Sequence, residues 1–213
     1  MSGSRDEGLP DPRPQPGDQE SYPQLREERI CGESVFKGRL LHVHLDRVRA
    51  PDGHELTFEY TLHPGAAAVV PRLGDGRLVL ERQWRYAMNR SFLEFPAGKL
   101  HPGEDPLLAI QRELAEETGY RARRWGRFGD MHPVIAYSTE VIHLFIAEDL
   151  EPGPSAREPG ECLEIELLSP EAFFAAIRRG EVTDSKTLSC ALWLDRYLRG
   201  EWPVDWISSV VLP

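Results

Sequence analysis

The sequence predicts an α/β layered sandwich built on a mixed sheet and preceded by a small antiparallel β arm. Three observations predict it. Short apolar or alternating runs of strand type recur along the chain, helical stretches fall between them, and Gly, Pro and Asp clusters separate the first strands from one another. No internal repeat is visible. The chain has 213 residues, room for one substantial core and an accessory element. A domain of roughly 150 residues already buries about two thirds of its unfolded surface.

Residues 1–26 are rich in Pro, Asp, Glu, Gly and Arg and poor in large apolar groups, so burial cannot offset the entropy of ordering them. A flexible tail is expected. Residues 27–62 are read as the β arm. Within it, residues 34–48 alternate apolar and polar side chains in their second half, Pro51, Asp52 and Gly53 make a turn, and residues 55–62 return as a second strand. An isolated hairpin is marginal in water, so the arm is expected to pack on the main domain or on a second subunit.

The main domain is assigned to residues 63–200. Residues 66–71 and 77–83, on either side of the turn at Gly74, Asp75 and Gly76, read as buried strands. Residues 104–119 read as a helix, and residues 141–147 and 164–168 as further strands. Ser169 is a good N-cap and Pro170 a good first helical residue for a helix ending at Arg179, before Gly180. A last helix over 184–198 stops at Gly200, and residues 201–213 form an extension.

Composition excludes several classes of function. Hydrophobic residues make up 40% and charged residues 28%, as in an ordinary globular protein, and no apolar run approaches the ~20 residues that span a bilayer. The amino terminus lacks the apolar core of a secretory signal, which predicts a cytoplasmic protein. Cys31, Cys162 and Cys190 are far apart and form no CxxC or Cys/His cluster, so they are read as reduced thiols. A net charge of −10 provides no basic field for a nucleic-acid duplex. A small anionic nucleotide can still bind if metal ions stand between it and the protein.

The chemistry-bearing segment runs from Gly98 to Tyr120. On a helix, Glu113, Glu116 and Glu117 stand at i, i+3 and i+4, so the three carboxylates project from one face. Like charges about 6 Å apart repel by roughly 0.7 kcal/mol in water and about 3 kcal/mol at an effective dielectric near 20. Such a cluster calls for a cation, and hard oxygen ligands on one rigid element suit Mg²⁺ or Mn²⁺. Leu107, Ile110 and Leu114 line another face and seat the helix on the sheet. Gly119 is the expected C-cap, while Gly98 and Gly103 allow a tight loop ahead of the helix, bringing backbone carbonyls toward the same cation. Acidic runs of this kind are more often solvated helix faces, and the surrounding spacing decides between the two readings.

Gly98, Glu104, Arg112, Glu113, Leu114, Glu116, Glu117, Gly119 and Tyr120 resemble the Nudix box, G-x5-E-x7-R-E-U-x-E-E-x-G-U with U apolar, and Tyr120 is the only soft match. The resemblance implies a Nudix α/β/α sandwich and hydrolysis of a nucleoside diphosphate linked to another moiety, with Mg²⁺ or Mn²⁺ on the loop and helix. It further implies Glu113 and Glu117 as principal metal ligands, Glu116 as a ligand or a supporting catalytic acid, and the carbonyl of Ala97 as another ligand. Glu104 and Arg112 would tie the loop to the helix, with Gly98 and Gly119 structural.

The flanks are similar to the ADP-ribose pyrophosphatase branch, over roughly residues 33–200. Gln83 and Arg85 match its QxR element, and Glu94 with Pro96, Ala97 and Gly98 its E-x-P-A-G element. The arm ahead of His63, Pro64 and Gly65 is similar too, and in that branch such arms are exchanged in a homodimer and help bind the base. By this resemblance Arg85 would contact the diphosphate, as its planar fork suits, unless it is a plain surface arginine. Phe58 would stack on adenine or simply serve packing, and Glu94 would add a carboxylate beside the metals or pair with a neighbour. Helix carboxylates bound to metal are poorly free to take a proton, so a general base must come from elsewhere. Glu161 matches the branch's loop acid, as base or additional metal ligand, and Glu158 is its nearest rival.

One element departs from the branch. Where P-G-x-[S/T]-x-E is usual, this chain has Ile135, Ala136, Tyr137, Ser138, Thr139 and Glu140. The hydroxyl residues and Glu140 remain for substrate binding, but the Pro and Gly are replaced, which weakens ADP-ribose specifically and leaves diphosphate cleavage untouched. The resemblance implies cleavage of ADP-ribose to AMP and ribose 5-phosphate or of a related nucleoside diphosphate sugar, and three alternatives follow: a Nudix hydrolase for another dinucleotide such as NADH or a flavin dinucleotide, a non-catalytic nucleotide sensor, and a tail-borne interaction adaptor. An intact box argues against the sensor.

Overall fold

The structure is a computed structural model and describes residues 22–157 and 159–207. Most of the tail expected at 1–26, the rival acid Glu158 and the last residues of the extension lie outside that range. The described residues divide into two compact units, 22–65 with 134–141, and 66–133 with 142–157 and 159–207. Among the described residues no helix is long and apolar enough to cross a membrane.

The first unit is a three-stranded antiparallel sheet of β1 (Glu28–Lys37), β2 (His42–Arg49) and β3 (Glu55–Leu62), in that order. The single strand expected over 34–48 is thus two, broken after Lys37, and β1 begins earlier than the alternation suggested. Two bulges, between Arg29 and Cys31 and between Ser34 and Phe36, disturb the β1 register and blur its alternation. Asp46 on β2 is 1% exposed and is held by Arg29 Nε at 2.7 Å and by the Tyr60 hydroxyl at 3.1 Å. Residues 134–141 run beside β3: Thr61 N donates to Tyr137 O at 2.9 Å, and Thr139 N to Thr61 O at 3.1 Å. Every residue of β1 is exposed, among them Ile30, Val35 and Phe36.

The second unit contains two sheets. In the five-stranded sheet, β11 (Asp205–Ile207), β8 (Tyr120–Met131), β9 (Ile142–Pro152), β4 (Ala66–Pro71) and β7 (Ala97–Lys99) lie in that order. The β4 and β9 pair is parallel and the other pairs antiparallel, so this sheet is mixed. In the second sheet, β10 (Leu163–Leu168), β5 (Leu78–Arg85) and β6 (Arg90–Glu94) are all antiparallel. Interior strand β4 is buried on both faces, and its period-two alternation divides the core. Ala67 and Val69 pack with Ile110 and Leu114 of helix α1 (Pro106–Thr118), whereas Ala66, Ala68 and Val70 pack with Leu78 and Leu80 of β5, Phe173 of α2 (Pro170–Arg178) and Leu194 of α3 (Ser185–Leu198). Helices therefore cover both sides of the sheet, an α/β/α sandwich. Cys190 lies in this core, where burial pushes its thiol up to about 12.

The caps that fix α1 are local. Asp105 accepts from Leu107 N and Leu108 N at 2.9 and 3.2 Å, Pro106 stands at the first helical position, and Gly119 ends the helix at φ 77°. A side chain at Gly119 would also collide with Gly153 O, 2.5 Å from the position of a Cβ.

Candidate active site

The Gly98 backbone and the middle of α1 meet closely. A Cβ at Gly98 would lie 2.0 Å from Glu113 Cδ, so glycine is what lets the helix carboxylate rest on the Ala97–Lys99 strand. Arg112 braces the loop to the helix. It bonds Glu104 through Nε and Nη2, both at 3.2 Å, and its Nη1 reaches Glu113 at 2.9 Å and Glu116 at 3.2 Å. Glu104 also accepts from His101 N at 2.9 Å, closing the loop.

Beyond Glu113 the helix face turns inward. Glu117 is 3% exposed and hydrogen-bonds a side chain absent from the sequence-derived candidates, Glu81 of β5, itself 1% exposed. The Oε2 atom of each has no hydrogen-bond partner. Burial raises the pKa of Glu117 far above the usual carboxylate range, and the charges of Glu81, Glu113 and Glu161 add to the shift. Burial raises Glu81 as well. Glu113 is also held up, by burial first and by Glu116 and Glu161 besides, against the pull of Arg112. Glu161, in the turn before β10, is thus electrically part of the same group.

Three hydrogen bonds hold the segment leading to that turn, two of them to the end of α1 and one to the start of β10. Ala156 N donates to Glu116 O at 3.0 Å, and Arg157 donates to Glu117 O at 2.9 Å and to Leu163 O at 2.8 Å. On the other side of Glu81, the β5 and β6 register puts Glu94 directly opposite it. Glu94 is 2% exposed and takes a two-pronged bond from Arg85, Nε at 2.8 Å and Nη2 at 2.6 Å, together with a bond from Lys186 Nζ. Lys186 also bonds Asp184 at 2.9 Å, and Asp184 accepts from Thr187 Oγ1 at 2.7 Å. Thr187 Oγ1 in turn accepts from Phe95 N at 3.1 Å, so α3 fixes the peptide just ahead of Ala97 and Gly98. Arg85, Met88, Phe92, Glu94, Asp184 and Lys186 line a cleft of about 310 Å³.

A model of the NUDIX domain matches residues 61–189. The chain belongs to the Nudix family of hydrolases. It is 33% identical over 165 residues to an ADP-ribose pyrophosphatase of Bacillus subtilis (strain 168), covering 76% of this chain and 89% of that protein. It is 32% identical to a methanol dehydrogenase activator of Bacillus methanolicus, over 80% and 93% of the two chains, and 32% identical to a GDP-mannose pyrophosphatase of Cronobacter sakazakii (strain ATCC BAA-894), over 78% and 91%. Among solved structures, an ADP compounds hydrolase superposes with a TM-score of 0.75 at 21% identity, over 83% of this chain and 97% of that one, a likeness of fold.

The Nudix segment and its flanks thus bring Ala97, Gly98, Glu104, Arg112, Glu113, Glu116, Glu117, Gly119, Glu161, Arg85 and Glu94 into the second unit, while Phe58 and Glu140 belong to the first. Phe58 is exposed on β3, and Glu140 Oε1 lies 3.7 Å from His63 Nδ1. Among the described residues no three His, Cys, Asp or Glu side chains stand together as a set that could hold a metal ion. Arg112 draws Glu113 and Glu116 to itself, and Glu117 turns to Glu81. The donor chemistry nonetheless fits a hard divalent cation, because two buried carboxyl groups that share a hydrogen bond, and so a proton, each keep an unpartnered oxygen that a cation could take up.

Sequence reasoning missed Glu81, Arg157, Asp184, Lys186 and Thr187. For Glu81 a signal existed, an acid ending the apolar run of Leu78, Val79 and Leu80 inside an expected buried strand. For the other four no local pattern marks the role, which depends on partners far along the chain.

Proposed function

We propose that this protein is a cytoplasmic, homodimeric Mg²⁺- or Mn²⁺-dependent pyrophosphohydrolase that converts ADP-ribose and water to AMP and ribose 5-phosphate. The observation that carries the reading is the buried Glu117, its Oε2 unpartnered and its neighbours Glu81, Glu113 and Glu161 all acidic. The bound cation would neutralise the diphosphate, orient a water and lower its pKa. Glu113, Glu117 and the Ala97 carbonyl would hold it, with Glu116 as a further ligand or supporting acid. Arg85, oriented by its two-pronged bond to Glu94, would grip the diphosphate. Glu161 would take the proton of the attacking water, since it stands outside the helix set yet within its electrostatic reach. For Phe58 and Glu140 a substrate-binding role rests on the family resemblance alone.

A screen of nucleoside diphosphate compounds with Mg²⁺ tests the substrate, because both products are phosphomonoesters that a coupled phosphatase converts to free phosphate. ADP-ribose should be turned over fastest. Equal turnover of GDP-mannose, whose pyrophosphatases are also relatives, or of NADH would defeat the narrow assignment and leave the diphosphate chemistry intact.

Dimerisation is supported by the arm, which leaves Ile30, Val35, Phe36, Leu40 and Leu41 exposed. All three cysteines are free, as a reducing cytoplasm requires. Light scattering should return twice the chain mass of 24.2 kDa, and a mass of 24.2 kDa would rule the dimer out.

A further inference from the structure

Lys186 and Arg85 act on Glu81 only through their fields, and the side chain hydrogen-bonded to it is another acid, Glu117. Glu81 extends from the middle strand of a three-stranded sheet, where Leu78, Val79 and Leu80 before it are wholly buried. A lone carboxylate in such a place costs several kcal/mol unless a cation compensates it. The available cations, Arg85 and Lys186, are both bonded to Glu94, and Lys186 is shared with Asp184. Glu81, Glu94, Glu117 and Asp184 thus stand as four acids beside two bases, and the hydrogen bond between Glu81 and Glu117 holds a proton where a divalent ion would otherwise supply the positive charge. Glu113 and Glu161 also act on Glu117, although Arg112 is bonded to Glu113 at 2.9 Å. The unpartnered oxygens of Glu81 and Glu117 mark where that charge is needed.

We propose that Glu81, on the sheet, is a ligand of the same divalent cation as Glu117, completing from below a site that the Nudix helix supplies from above. This rests on the metal-dependent reading of the protein. Glu117 alone would bind the ion on one side, as an exposed helix acid could, whereas the pair grips it between two rigid elements. Burial then serves a purpose: the strand and the helix hold both carboxylates close despite their repulsion, and the ion relieves it.

The test measures Mn²⁺ binding to the full chain without substrate, by the loss of the free-ion paramagnetic resonance signal, alongside thermal unfolding in chelator and in Mn²⁺. Glu81→Gln keeps the shape and one hydrogen-bonding oxygen. It should weaken Mn²⁺ by more than about a hundredfold, beyond the roughly ten- to hundredfold lost when a side chain that only orients a ligand is changed, and a loss within that smaller range would overturn the role of Glu81 as a ligand. It should also unfold at a higher temperature than the wild type in chelator, because one uncompensated acid is gone, and gain less on adding Mn²⁺. If Glu81 were only a structural hydrogen-bond partner, Glu81→Gln would unfold earlier in chelator and bind Mn²⁺ as the wild type does, and that result overturns the proposal. Glu81→Met repeats the comparison with a side chain that the core accepts. Glu117→Gln separates the two levels of inference. Loss of Mn²⁺ binding in Glu117→Gln with full binding in both Glu81 variants refutes the role of Glu81 alone, and a wild type that binds no Mn²⁺ refutes the metal-dependent reading together with it.

Discussion

Glu117→Gln should lower kcat on ADP-ribose roughly a thousandfold, about 4 kcal/mol of lost transition-state stabilisation, as expected when the charge a bound metal would supply to the diphosphate is withdrawn. The substitution preserves length and shape at a residue 3% exposed and removes only the capacity to present a charged oxygen to the metal. Circular dichroism should therefore match that of the wild type. Glu161→Gln serves as the contrast. If Glu161 takes the proton, its variant should lose activity while still binding Mn²⁺, and the loss should shrink at high pH, where hydroxide replaces the assisted water. If Glu161→Gln instead loses Mn²⁺ binding, the residue is a ligand and the base lies elsewhere. Wild-type turnover by Glu117→Gln would show that the helix carboxylates are not the metal site.

Why Glu117 was readable from the sequence and Glu81 was not is a matter of range. The carboxylates of α1 sit at i, i+3 and i+4 with an apolar stripe on another face, so both their convergence and their orientation follow from helical geometry. Ile110 and Leu114 are indeed fully buried against β4, with Leu107 packed beside them. Glu81 gains its meaning only against Glu117 and Glu94, and no periodicity relates a strand position to a helix 36 residues on.

The same limit explains the missed strands. Residues 120–131 form the long strand β8 although they include Arg121, Arg123, Arg124 and Arg127 and two glycines. Its charges are met across the sheet, Arg124 by Glu148 at 3.0 Å and Arg123 by Glu151 at 2.6 Å, and Arg124 also lies 3.5 Å over the Trp206 ring. Gly126 resembles a breaker in the sequence, yet a Cβ there would come within 2.2 Å of Val204 Cγ1, so a distant segment demands the glycine. By contrast, β4 was legible because burial on both faces makes its apolar run continuous.

Lys186→Met should cost about 3 kcal/mol of unfolding free energy at neutral pH, near the lower end of the roughly 3–5 kcal/mol lost when one member of a buried ion pair is removed. The lower end applies because Arg85 still holds Glu94, and Thr187 still donates to Asp184. At about 2–4 °C per kcal/mol for a chain of this size, the melting temperature should fall by roughly 6–12 °C. The pH dependence distinguishes this from simple loss of packing. Burial works to discharge Lys186, but Asp184 and Glu94 outweigh it and hold the ammonium above the usual lysine range. Burial likewise works to protonate both acids, yet Lys186 at Asp184, and Arg85 with Lys186 at Glu94, keep them below the usual carboxylate range. A carboxylate depressed in the folded state contributes stability that is present above its unfolded pKa of about 4 and lost as pH falls through the lower folded value. The gap between wild type and Lys186→Met should therefore be widest near pH 7 and narrow below pH about 4, where the acids take up protons and no longer need the lysine. A gap of the same size at both ends of that range would mean that Lys186 stabilises through the packing of its methylene stem and not through its charge.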